Sequence, residues 1–76
     1  MEDGFVELQA CLAELLIKER VRRGITQEEL ALMANVDRSY VSRIERGIAN
    51  PSLRVLHNLA DVMDATLELK FLASKK

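Results

Sequence analysis

Apolar positions along this chain fall into short stripes separated by breaks, and the period of the stripes changes once. From about Phe5 to Arg23, Leu8, Leu12, Leu15, Leu16 and Val21 recur at three- and four-residue steps, as on one side of an amphipathic helix. Its basic end, Arg20, Arg22 and Arg23, suits the negative pole of the helix dipole, and Gly24 supplies a left-handed cap. Thr26-Gln27-Glu28-Glu29 then carries a capping box, in which the Thr26 hydroxyl accepts from the Glu29 amide and the Glu29 carboxylate accepts in return. Leu30, Met33 and Ala34 form the inner stripe of a short second helix, broken by the turn Asn35-Val36-Asp37. Asp37 is placed to cap a third helix, Arg38 to Arg46, with Val41 and Ile44 inward and Gly47 as its stop. Past the loop Ile48-Ala49-Asn50-Pro51, Ser52 caps a fourth helix running to about Met63, buried through Leu53, Leu56, Leu59, Ala60 and Met63.

The last stretch alternates. Thr66-Leu67-Glu68-Leu69-Lys70-Phe71 reads as a half-buried strand, although Leu67 and Phe71, four apart, also fit a short fifth helix. The strand is the favoured reading. A lone strand in a helical domain leaves its backbone edges unpaired, and the same strand of a second chain is the obvious partner. That makes 66–72 a dimerisation tail through Leu67, Leu69 and Phe71. The expected fold is therefore all-α: one domain over residues 1–76, a compact four- to five-helix bundle, with a C-terminal β-strand used in dimerisation.

Composition narrows the function. Seventy-six residues, 49% of them hydrophobic and 30% charged, allow one small domain. At this size folding removes only about 60% of the unfolded chain's surface from water, so a deep enzyme pocket is not expected. The single cysteine, Cys11, excludes an internal disulfide and reads as a small buried filler. His57 is the only histidine and reads as a surface or dimer-edge residue; no metal set, no cofactor site, no nucleophile beside a base and no glycine-rich phosphate loop is present. The chain is not expected to be an enzyme. Its start has no basic segment leading into an apolar one and no apolar run nears 18 residues, so a cytoplasmic protein without a membrane partner is expected.

The net charge of −1 hides an uneven distribution. Residues 1–19 carry five carboxylates against Lys18, residues 20–57 carry seven arginines against four carboxylates, and residues 58–76 balance three against three. Every arginine lies in the middle stretch, which makes it the electrostatic footprint for an anion.

Two short helices joined by a three-residue turn, over about 27–46, form a helix-turn-helix. In that motif the first helix lies across the phosphate backbone and the second presents side chains to base edges in the major groove. Arg38, Ser39, Ser42 and Arg43 are spaced to share the outer face of the second helix, opposite Val41 and Ile44. The segments Gly-Ile-Thr-Gln-Glu-Glu-Leu-Ala (24–31), Ser-Tyr-Val-Ser-Arg-Ile-Glu-Arg-Gly (39–47) and Asn-Pro-Ser-Leu (50–53) resemble the phage-repressor/Cro-like, or XRE, helix-turn-helix family over roughly residues 12 to 66.

The resemblance implies a bundle that binds double-stranded DNA as a homodimer on an inverted-repeat operator, as a repressor-like transcriptional regulator. It implies phosphate contacts from Thr26 and Gln27, base contacts from Arg38, Ser39 and Arg43 with Ser42 as a lesser candidate, and a backbone clamp from Tyr40, Arg46 and Asn50. Tyr40 has the alternative of packing on the second helix. The resemblance also implies a structural ion pair between Arg20 and Glu45. The acidic start and the extended tail depart from the family average. The tail is similar to that of antitoxin members, which keeps a toxin-binding antitoxin and a restriction-modification controller as alternatives.

Overall fold

The computed structural model describes residues 4–73. Four helices form there: α1 (Gly4–Arg22), α2 (Gln27–Ala34), α3 (Arg38–Glu45) and α4 (Leu53–Val62). No strand forms among the described residues, and the fold is all-α. None of the helices is long and apolar enough to cross a membrane.

The helix starts follow local chemistry. At α2 the capping box is complete: Thr26 Oγ1 accepts from the Glu29 amide at 3.0 Å, and Glu29 Oε1 accepts from the Thr26 amide at 2.8 Å. At α4, Ser52 Oγ accepts from the Val55 amide at 3.1 Å. Asp37 stands at the N-cap of α3, but its side chain makes no capping bond. The first turn of α3 is fixed instead through the Asp37 carbonyl, which accepts from the Tyr40 and Val41 amides at 3.0 and 3.3 Å.

All four ends share one device. The amides of Ile25, Val36, Ile48 and Ala65 reach back five residues to the carbonyls of Arg20, Ala31, Arg43 and Ala60. The residue before each, Gly24, Asn35, Gly47 or Asp64, has positive φ and donates three residues back. This is the Schellman closure, which satisfies carbonyls the helix leaves unpaired while turning the chain sharply. At Gly24 and Gly47 no Cβ opposes the left-handed backbone, whereas Asn35 and Asp64 are the side-chain types that tolerate it best.

Packing centres on α3, against which α1 and α2 both lie, while α4 lies on α2. Leu30, Val41, Ile44 and Leu59 are fully buried, and Leu16, Ala31, Ala34, Ala49 and Met63 complete the cluster. Each large member contributes roughly 1.5–3 kcal/mol by leaving water.

Several positions read as inward from the sequence stand outward. Met33 is exposed and Ala31 takes its place in the buried stripe of α2, because α2 is covered by α3 and α4 together. Leu53 is exposed, as are Leu8, Leu15 and Val21. The packed stripe of α1 is Ala13 and Leu16, with Leu12 half-buried, since α3 is the main neighbour of α1. Cys11, expected as a buried filler, is exposed. Beyond Asp64, residues 65–73 form neither the favoured strand nor a fifth helix. A strand needs a ladder to pair with, and the described residues offer none. Leu67 lies half-buried beside α1 and α4, while Leu69, Phe71 and Leu72 are exposed.

Candidate nucleic-acid interface

Helix α3 has two unlike faces. Val41 and Ile44 fill the core, and on the other side Arg38, Ser39 and Arg43 are exposed, with Ser42 half-buried and Arg46 exposed just past the last turn. The buried pair therefore sets which residues can face a partner. Thr26, exposed, and Gln27, half-buried, stand at the start of α2. They line one concavity with Gly24, Ile25, Glu28 and Arg38, so the N-terminus of α2 and the first residue of α3 share a surface. Asn50 is exposed on the loop after α3, which is fastened where Gln9 Nε2 donates to the Ala49 carbonyl at 2.7 Å.

The arginines divide into two sets. Arg20 grips Glu45 with two bonds, Nε to Oε2 at 2.6 Å and Nη2 to Oε1 at 2.9 Å, while its Nη1 donates to the Ile25 carbonyl at 2.9 Å. The side chains of Arg20 and Glu45 are only 16% and 5% exposed, so this pair is largely removed from water. The bonds to Glu45 raise the Arg20 pKa above its ordinary value, against the opposing effect of burial. Arg22 and Arg23 both turn to Glu19, at 2.6 and 3.0 Å. Their hydrogen bonds, Arg22's first, hold the Glu19 carboxyl below its usual range. Arg23 also donates to the Asp64 carbonyl at 3.1 Å, tying the end of α1 to the end of α4.

Arg38, Arg43 and Arg46 have no carboxylate within ion-pair distance among the described residues. Arg54, exposed on α4, is likewise unpaired among the described residues, so three of the four unneutralised arginines stand on or beside α3. Arg43 has one close companion, the Tyr40 ring, with the guanidinium carbon 5.3 Å from the ring centroid. Tyr40 itself is half-buried and packs against the core cluster.

Glu45 also accepts from Gln27 Nε2 at 2.9 Å. One carboxylate therefore joins α1, α2 and α3, and the amide of Gln27 is oriented from beneath. Sequence reading placed Gln27 and Glu45 in separate roles. They are 18 positions apart, and no local spacing connects the two. The Gln9 bond to the loop bearing Asn50 spans 40 residues and left no sequence signal either.

A DNA-binding helix-turn-helix regulator is the class that this fold defines. The sequence model of the helix-turn-helix family HTH_3 matches residues 16–70, and the chain belongs to that family. It is 42% identical over 53 residues to an uncharacterized HTH-type transcriptional regulator of Archaeoglobus fulgidus, covering 70% of this chain and 76% of the relative. Among solved structures it is similar to the restriction-modification controller protein C.AhdI from Aeromonas hydrophila, with a TM-score of 0.79 at 34% identity, covering 84% of this chain and 91% of that one. The wild-type controller protein C.Esp1396I matches with a TM-score of 0.74 at 29% identity, covering 86% of this chain and 82% of that one.

Proposed function

We propose that this regulator binds an inverted-repeat operator as a homodimer, with α3 of each protomer in the major groove. Arg38, Ser39 and Arg43 face base edges and Ser42 lies at the margin of that set. Thr26, Gln27, Tyr40, Arg46 and Asn50 hold phosphates on either side. The observation that carries this reading is the exposed, unneutralised cluster Arg38, Arg43 and Arg46 beside a helix whose other face is locked into the core. Two-fold symmetry then sets the two reading helices about 34 Å apart, one turn of DNA.

The homodimer rests on the apolar side of the molecule. Leu8, Leu15 and Leu53 stand exposed around a groove between α1 and the start of α4, and the tail adds Leu69, Phe71 and Leu72. A second copy that covers this side removes it from water. The likeness to two restriction-modification controllers favours a controller's role over that of an antitoxin. A methyltransferase or endonuclease gene beside this one is the expected neighbour, and a toxin-like reading frame there would reverse the choice.

The test is fluorescence anisotropy on a duplex that the protein selects from a random-sequence pool. Arg43→Ala is expected to weaken binding by about 1–3 kcal/mol and to relax the preference at one base pair. Arg46→Ala is expected to weaken all duplexes alike and to lower the salt slope by about 1. A folded Arg43→Ala protein with unchanged affinity and preference would remove the base-reading role from α3.

A further inference from the structure

We propose that Tyr40 is a positioning residue for base reading: its ring holds the Arg43 guanidinium in the orientation in which it meets a base. The proposal rests on the reading that Arg43 faces base edges, and it goes beyond the phosphate clamp assigned to Tyr40 above.

Arg43 is exposed and has no carboxylate partner among the described residues. Left alone, such a side chain samples many rotamers and loses that freedom on meeting a base. Tyr40 lies one turn earlier on α3, is half-buried and packs on the core, so its ring is the fixed member of the pair. The Arg43 guanidinium sits over it, 5.3 Å from the centroid. Contact through the ring leaves the guanidinium N–H groups free for a guanine, whereas an ion pair would use them. A carboxylate is at hand and is not taken: Asp37 lines the same concavity with Asn35, Val36, Tyr40 and Arg43, yet makes no ion pair with Arg43. Tyr40 thus orients the arginine without competing for its donors.

The experiment uses the full chain and duplexes selected from a random-sequence pool. The base pair whose preference disappears in Arg43→Ala is identified first; if no base pair behaves so, the base-reading assignment of Arg43 fails, and this proposal with it. At that base pair, Tyr40→Leu is expected to lower the preference about two- to fivefold, the weight of an exposed cation–π contact. Tyr40→Phe, which keeps the ring and removes the phosphate-bonding hydroxyl, should weaken all duplexes alike while holding the preference at that base pair within about twofold of wild type. The Arg43 Nε–H resonance of the free protein should lose its ring-current shift in Tyr40→Leu and keep it in Tyr40→Phe. Tyr40→Met, which retains volume without a π face, replaces the leucine variant if circular dichroism reports that one unfolded. The proposal is overturned if Tyr40→Leu leaves the preference intact while Arg43→Ala abolishes it. It is equally overturned if Tyr40→Leu lowers the preference while the Arg43 Nε–H resonance of the free protein does not move.

Discussion

Leu30 and Leu8 belong to helical stripes of the same period, yet Leu30 is fully buried while Leu8 is 63% exposed. Around Leu30, on the α2–α3 side, apolar positions are covered and the key polar groups have partners: Thr26 and Glu29 cap each other, and Glu45 takes both Arg20 and Gln27. Around Leu8, on the α1–α4 side, a run of large apolar side chains faces outward and the tail adds Leu69, Phe71 and Leu72. The difference teaches that amphipathic periodicity identifies which residues prefer to leave water, without saying which surface will cover them. The α2–α3 half is finished within one chain, whereas the α1–α4 half keeps large apolar side chains facing outward, which is where the proposed dimer would cover them.

The strongest way to break this contrast is to remove the carboxylate at its centre. Glu45→Ala leaves Arg20 largely out of water without its partner and is expected to cost about 3–5 kcal/mol in urea unfolding. A loss under about 1 kcal/mol would mean that the Arg20 site hydrates freely. Next, the two leucines measure the halves directly. Leu30→Ala should cost about 2–5 kcal/mol, and Leu8→Ala should cost under about 0.5 kcal/mol in the monomer while weakening self-association in sedimentation. Equal losses for the two would erase the distinction.

A finer test addresses the helix ends. Gly47 adopts φ +75 and a Cβ there has room, its nearest neighbour being the Ala10 backbone at 3.8 Å, so Gly47→Ala isolates conformational strain. It is expected to lower stability by about 1–2 kcal/mol, while Asn35→Gly, at φ 58, should be neutral or slightly stabilising. If both substitutions prove neutral in thermal melts, the left-handed closures are not what holds the turns.

The smallest effect concerns pH. Arg22 and Arg23 hold the Glu19 carboxyl below its ordinary value of 4.5, so its contribution is present above that value and fades as pH falls through the lowered one. Glu19→Gln should flatten this acid-side slope in paired unfolding curves and leave stability above neutrality almost independent of pH; an unchanged slope would count against the pairing.

Much of the fold was legible because its signals are local. Thr26 with Glu29, Ser52, Gly24 and Gly47 mark boundaries through bonds to residues three to five away, and the structure places the helix ends within a residue or so of those marks. The outer face of α3 was legible for the same reason, since Val41 and Ile44 fix which residues point away from the core. What the sequence did not reveal depends on distant partners. Leu15 and Cys11 were read as inward because nothing nearby says that α1 leans on α3 and leaves its other flank open. The alternation at 66–71 expresses a preference that one chain alone cannot satisfy. The joining of Gln27 to Glu45 and the parking of Arg43 over Tyr40 depend on rotamers that side-chain type alone does not set.

The placement of Glu45 has a consequence for how the domain breathes. Because its two oxygens bind groups from α1 and α2 while it sits on α3, fraying the C-terminal half of α1 strands a charge between α2 and α3. Local opening of one helix is thereby discouraged, and hydrogen exchange should give the amides of α1 near Arg20 and those of α3 one common opening free energy, as a single cooperative unit. Under the proposed role, the outer face of α3 is then gained or lost whole, so a partly unfolded chain would not linger on DNA as a weaker competitor.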